Sequence, residues 1–343
     1  MGVALTRRAF CVATFTLAII GGCSGPGGLV PASETKVAVP TKGQLVLARN
    51  GKFSLFNLAS RQETPFGQFS KDTLVTAPTV SPDRKQIAYT AYVMPTNTND
   101  LGGNDLAVME VSAANAHVIR SHSQQQGGFE DPSWAADGKS LFATLRAPVI
   151  VGGQVKGDTT TIVRVPLDGS ELVTVTSGYS PTASPDGTHL AYLSTDPQGG
   201  VHLWVANVDG SHVQEIAPRQ GFTNFRAPRF SPDGQQIVFA AEGGPAKPQP
   251  AVEARPNLLA SFLGPGIAEA DGIPMDLWTV HPDGSELRQL THAQDHSPTP
   301  AWSPDGTWIA VAGELTLALV SAAGTQLVTL ASNTQLSGIT WLT

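Results

Sequence analysis

Thr299-Pro300-Ala301-Trp302-Ser303-Pro304-Asp305-Gly306, with Ile309-Ala310-Val311 behind it, is one copy of a unit that recurs along the chain. Asp131-Pro132-Ser133-Trp134-Ala135-Ala136-Asp137-Gly138 precedes Leu141-Phe142-Ala143. Ser180-Pro181-Thr182-Ala183-Ser184-Pro185-Asp186-Gly187 precedes Leu190-Ala191-Tyr192, and Ala227-Pro228-Arg229-Phe230-Ser231-Pro232-Asp233-Gly234 precedes Ile237-Val238-Phe239. A fifth copy, Ala77-Pro78-Thr79-Val80-Ser81-Pro82-Asp83, stands before Ile87-Ala88-Tyr89. In each, a short strand runs into a tight turn. Proline presets φ, aspartate accepts from nearby backbone N–H groups, and glycine accepts positive φ, before a second strand leaves the turn.

A second signature marks the later half of each repeat. Leu167-Asp168-Gly169-Ser170, Val208-Asp209-Gly210-Ser211 and Pro282-Asp283-Gly284-Ser285 are hairpin turns between β-rich runs, and Ala322-Ala323-Gly324-Thr325, Ala113-Ala114-Asn115-Ala116 and Leu58-Ala59-Ser60-Arg61 are degenerate versions. Six outer hairpins therefore stand against five inner ones. The first outer hairpin, Leu45-Val46-Leu47 with Phe53-Ser54-Leu55-Phe56, lacks an inner strand before it, whereas Gly338-Ile339-Thr340-Trp341-Leu342-Thr343 is an inner strand with nothing after it. Joining the two gives six complete units and removes both open sheet edges. Units of roughly 50 residues, against ~40–45 for a four-stranded propeller blade, predict an all-β, six-bladed β-propeller of antiparallel blades carrying some long loops. Its ring is closed by the C-terminal strand completing the N-terminal blade.

Met275-Asp276-Leu277-Trp278-Thr279-Val280-His281-Pro282-Asp283-Gly284-Ser285-Glu286-Leu287-Arg288-Gln289-Leu290-Thr291 resembles the TolB-type repeat, also called WD40-like, and the resemblance extends over residues 41–343. It implies a propeller class that includes partner-binding envelope proteins, the propeller halves of peptidases, and sugar-cleaving lyases that bind a metal in the channel. In TolB a separate domain precedes the propeller; here a spacer stands in that place.

Composition agrees with many short strands: 35 glycines and 26 prolines among 343 residues, with only 14% charged. The formal net charge of −7 argues against nucleic acid as a partner. The two cysteines, Cys11 and Cys23, both precede the repeats, so the body has no disulfide and no thiolate metal site.

Residues 1–23 have the three parts of an export signal. Arg7 and Arg8 supply positive charge, Ala9 to Ile20 is an uncharged apolar run, and Gly21-Gly22 are small residues before Cys23. The run is shorter than the ~20 residues of a membrane span. Ile20-Gly21-Gly22-Cys23 resembles a lipobox, which implies acylation of Cys23, and Thr6-Arg7-Arg8-Ala9-Phe10 resembles a twin-arginine export motif. Residues 24–40 read as a flexible linker. The expectation is a monomeric lipoprotein on the extracytoplasmic side of the cell membrane or in the periplasm, touching the membrane through its anchor only.

In a propeller the Ser-Pro-Asp-Gly and Asp-Gly-Ser turns share one face. The other face is elaborated here by loops at Val93 to Asn104, Ala147 to Asp158 and Gly243 to Pro274; the last contains Asn257-Leu258-Leu259-Ala260-Ser261-Phe262-Leu263, a candidate short helix or flap. Long loops favour that face for binding. Residues just before the inner strands should ring the channel there: Glu130, Asp131, Tyr179, Arg226, Asp295 and His296, a mixture suited to an envelope protein, a peptide or a small polar ligand. His292 and His296 have the i, i+4 spacing of a metal pair, but a loop removes the helical reason for that spacing, and no Glu follows His292. No Gly-x-Ser-x-Gly elbow and no phosphate-cradling Gly-x-x-x-x-Gly-Lys loop occurs. A binding or scaffold propeller without catalytic residues or cofactor is the favoured expectation. The alternative is a metal-assisted, lyase-like carbohydrate-active enzyme using the channel.

Overall fold

The computed structural model describes residues 37–95, 102–112, 116–123, 127–217, 221–245, 274–293 and 295–343. The readings placed on Cys23 and the export signal, and on the candidate helix at Asn257 to Leu263, lie outside the described residues. Among the described residues there is no helix; all regular structure is strand. Val37–Thr343 forms one compact unit.

Six antiparallel sheets make up that unit. Blade one contains β1 (Gln44–Arg49), β2 (Lys52–Asn57) and β3 (Glu63–Phe66). Blade two contains β4 (Thr73–Val80), β5 (Gln86–Val93), β6 (Gly103–Glu110) and β7 (Ala116–Arg120). Blade three contains β8 (Gly128–Trp134), β9 (Ser140–Val151), β10 (Gln154–Pro166) and β11 (Val173–Ser177). Blade four contains β12 (Tyr179–Ala183), β13 (His189–Thr195), β14 (Val201–Asn207) and β15 (Gln214–Glu215). Blade five contains β16 (Phe222–Phe230), β17 (Ile237–Gly243), β18 (Pro274–Val280) and β19 (Arg288–Gln289), and the two-residue β20 (Asp295–His296) pairs with the start of β18. Blade six contains β21 (Thr299–Trp302), β22 (Trp308–Ala312), β23 (Thr316–Ser321) and β24 (Leu327–Ser332). The last strand, β25 (Leu336–Trp341), returns to pair with β1, placing Trp341 opposite Leu45 and Ile339 opposite Leu47. The ring is closed as the mismatch of hairpins predicts.

The core is a series of slabs between neighbouring blades, because both faces of each central strand are covered. Leu45, Leu47, Trp308, Leu319, Ile339 and Trp341 fill the slab between blades one and six. Phe222, Phe225, Phe239 and Trp278 of blade five pack on Leu203 and Val205 of blade four. Indole N–H groups add fixed ties across two seams: Trp134 donates to the Thr79 carbonyl at 3.0 Å and Trp302 to the Arg229 carbonyl at 3.1 Å. Val37 and Val39, within the stretch read as linker, pack against blade six, where the Trp308 indole donates to the Ala38 carbonyl.

Two local features differ from expectation. The stretch at Ala147 to Asp158 is not a loop: β9 and β10 stay paired out to Val151 and Gln154 and turn at Gly152-Gly153, forming a ribbon that extends beyond its blade. Runs such as Val149-Ile150-Val151 have high β-propensity, and a two-glycine turn suits a hairpin. Secondly, four inner strands bulge. Register breaks at Thr76/Thr79, Glu130/Ser133, Tyr179/Thr182 and Arg226/Arg229, and Ala77, Asp131, Ser180 and Ala227 inside those breaks have φ of 47–50°. Each precedes a proline, which normally drives its neighbour to extended φ. A non-glycine residue held there costs on the order of 1–3 kcal/mol.

Candidate functional site

Three of the four bulged strands, those of blades three, four and five, line one cavity of about 360 Å³. Blade three contributes Glu130, Asp131 and Arg146; blade four, Tyr179, Ser180 and Leu193; blade five, Asn224 to Ala227. Ser297 to Thr299, leading into blade six, and Ser337 of β25 complete the wall. Of the six residues expected to ring the channel, Glu130, Asp131, Tyr179 and Arg226 line this one space. They lie within or at the start of β8, β12 and β16 rather than in loops before them, because those strands begin earlier than the repeat alone suggests.

Asp295 and His296 are placed otherwise. As β20 they pair with Pro274 and Met275. Asp295 is buried, and its carboxylate accepts from the Leu315 and Thr316 N–H groups at 3.0 Å each and from the Thr316 hydroxyl at 2.6 Å. It thereby ties the end of blade five to the β22–β23 connection. Gly313 is required beneath it, since a Cβ there would lie 2.3 Å from the carboxylate. His296 is half-buried with Nδ1 3.8 Å from Glu314, and His292 is exposed. No group of three or more His, Cys, Asp or Glu side chains suited to a metal ion occurs among the described residues.

The acidic side of the cavity is internally organised. Arg146 Nε donates to Glu130 Oε1 at 3.0 Å, and its Nη1 donates to Asp158 on the ribbon. The hydrogen bond to Glu130, against burial and reinforced by Asp158, raises the Arg146 guanidinium above its ordinary pKa, so it stays charged. Ser180 Oγ donates to Asp131 Oδ2 at 2.7 Å, joining blades three and four in the cavity wall. At the back of Arg146, Gly127 has φ of +84°, and a Cβ there would lie 1.8 Å from the Arg146 carbonyl. Only glycine allows this approach.

The opposite wall is different. Arg226 is exposed and, among the described residues, makes no hydrogen bond or ion pair. Arg229, three residues further along the same strand and past the residues that line the cavity, has one side-chain hydrogen bond among the described residues, from Nη1 to the Pro228 carbonyl at 2.7 Å. Desolvation by burial pulls its pKa below the ordinary value, and the main charge acting in the other direction is Asp131, two blades away. Sequence reasoning missed Arg146 and Arg229. Arg146 was hidden at the start of an apparent loop. Arg229 was visible in principle, as the one charged residue at a position that is Thr79, Ser133, Thr182 or Ala301 in the other copies of the repeat.

No protein-family model matches the chain. Local sequence similarity exists to an uncharacterised peptidase, YuxL, of Bacillus subtilis, 27% identical over 40% of this chain, and to the Tol-Pal system protein TolB of Alcanivorax borkumensis, 32% identical over 21% of it. The matches span 22% and 17% of the lengths of these two relatives. Among solved structures, TolB from Acinetobacter baumannii superposes with a TM-score of 0.60 at 18% identity, over 88% of this chain and 66% of that one. A chain of a nidogen/laminin complex gives 0.62 at 12% identity, over 88% and 98% of the two chains, and an oligogalacturonate lyase in complex with manganese gives 0.51 at 15%, over 82% and 70%. In fold the chain is a TolB-like six-bladed propeller.

Proposed function

We propose that this chain is an exported, lipid-anchored binding or scaffold propeller that holds an envelope protein or a peptide segment at the mouth of its channel. The observation that carries this reading is the convergence of blades three to six and β25 on a single polar cavity, whose wall is built from backbone held in the left-handed region at Asp131, Ser180 and Ala227. Strain of this kind clusters at ligand clamps and active sites. The likeness to TolB proteins and to a chain solved in a nidogen/laminin complex supports a binding role. The signal-like N-terminus ending in Cys23 supports an extracytoplasmic, tethered location.

A metal-assisted lyase remains the alternative, prompted by the oligogalacturonate lyase fold. It has less support: His296 stands 3.8 Å from Glu314, His292 is exposed, and Asp295 is committed to blade six. The binding reading is tested by affinity capture from detergent-solubilised envelope, comparing the wild type with Asn224→Trp, which fills the cavity from its wall. A stoichiometric protein captured by the wild type and lost from Asn224→Trp is expected. No such partner, or equal capture by both, overturns the reading.

A further inference from the structure

Five blades place a small residue at one position of the inner strand. Thr79 faces Ala88 across the strand pair, Ser133 faces Phe142, Thr182 faces Ala191, Ala301 faces Ala310 and Thr340 faces Val46. Blade five has Arg229 there, opposite Val238. A guanidinium carries five N–H donors, and this one has a single hydrogen bond among the described residues, to a backbone carbonyl. A desolvated charge is costly unless it is paired. Asp131 is the charge that acts on it, but no ion pair within 4.0 Å joins them, and Asp131 already accepts from Ser180. Arg226, three residues earlier on the same strand, adds a second cation that has no partner among the described residues, in the cavity wall. By contrast, Arg146 on the facing wall is neutralised by Glu130 and Asp158.

We propose that Arg226 and Arg229 form an anion receptor, and that the bound partner enters the cavity through a carboxylate, the side chain of an acidic residue or the end of a chain. The proposal rests on the cavity being a binding mouth and names the chemistry of what it binds. Planar, bidentate capture of a carboxylate is the arrangement arginine serves best. The β9–β10 ribbon points to a peptide as the bearer of that carboxylate. It is rooted at Arg146 in the cavity wall, and its outer part exposes Ile150, Val151 and Val155, each more than half accessible. Aliphatic side chains of an acidic segment match such a surface. Its strand edges are blunted against pairing by Pro148 and by a register break beside Lys156, so contact falls to the side-chain faces.

The test uses the labelled pentapeptide Glu-Leu-Glu-Leu-Glu, its Gln-for-Glu counterpart and trigalacturonate, each titrated against the full-length protein by fluorescence anisotropy or calorimetry. The acidic pentapeptide is expected to bind, the Gln counterpart to bind at least tenfold more weakly, and Arg226→Gln and Arg229→Thr each to lose at least tenfold. Arg229→Thr, which restores the residue of blades two and four, is expected to melt higher than the wild type by about 2–4 °C, since it removes a half-buried charge that has no ion pair among the described residues. A structural arginine would show the reverse, and a lower melting temperature for Arg229→Thr overturns the proposal. So does equal binding by the variants, no binding of the pentapeptide by the wild type, or preference for trigalacturonate. Failure of the receptor is separable from failure of the binding mouth. If envelope capture survives Arg226→Gln with Arg229→Thr but not Asn224→Trp, the mouth stands and the receptor does not. Capture insensitive to all three overturns both.

Discussion

At the residue scale the repeat is built on one aspartate. In blade four, Asp186 accepts from the Ser184 hydroxyl at 2.5 Å, the Thr188 N–H at 3.0 Å and the Thr188 hydroxyl at 2.8 Å. Those bonds, Ser184 first, hold its pKa at about 2. Asp83 and Asp233 are lowered by the same serine contact, and Asp168, Asp209 and Asp283 by the Ser at the following hairpin position. The folded carboxylate is thus more acidic than the unfolded one, near 3.9. Its stabilising effect is complete above that value and is lost as pH falls toward 2. Thermal melts between pH 5 and 2 should therefore steepen below about pH 4, and Asp186→Asn should flatten part of that slope; identical pH profiles for the two proteins would contradict the assignment. The turns were fully legible in the sequence because their chemistry is local. The left-handed residues before Pro78, Pro132, Pro181 and Pro228 were not: an X-Pro pair inside a strand hints at a bulge, but neighbouring blades decide its shape.

At the scale of elements, the outermost strands are short and depend on side chains. The two-residue β15 is held to β14 by His202, whose Nδ1 is 2.8 Å from Glu215 and whose Nε2 is 3.1 Å from Asp196, with the ring stacked on Trp204. The hydrogen bond to Glu215, opposed by desolvation and reinforced by Asp196, raises the His202 pKa. Because the folded value is the higher one, the clip is complete below about 6.5 and is lost as pH rises through the folded pKa. Amide protection of β15, corrected for intrinsic exchange, is expected to fall between pH 6 and 9 in the wild type and to be low and pH-independent in His202→Ala. A flat wild-type profile would show that the clip does not titrate. The ribbon of β9 and β10 shows where sequence reading stops at this scale. Its length was read correctly as an elaboration, but pairing within Ala147 to Asp158 depends on cross-strand register, which a single strand does not display.

For the whole molecule, closure through β25 is the feature on which the ring depends. Trp341 is buried against Leu45, Leu319 and Trp308 in the slab between blades one and six. Replacing it with Ala should cost about 3–5 kcal/mol, lowering the denaturant midpoint of the entire ring in one transition. An unchanged midpoint, or loss confined to blade one, would mean that the seam is not structurally coupled to the rest. The six-fold count was legible because hairpin turns can be counted. The site was legible only in outline. Glu130, Asp131, Tyr179 and Arg226 were located by their place before repeated strands, whereas Asp295 occupies a similar place in the sequence and serves as an inter-blade tie, a difference set by the contacts of Leu315 and Thr316 twenty residues later.

The same seam sets a schedule. The Ser337 hydroxyl bonds to the Ala48 carbonyl across 289 residues of chain, and at about 5–20 residues per second a ribosome needs on the order of 15–60 s to bridge that interval. Throughout it β1 waits with one edge bare, and the slab between blades one and six cannot form. A polypeptide of this design stays open while it is being made, and becomes a ring as a late event.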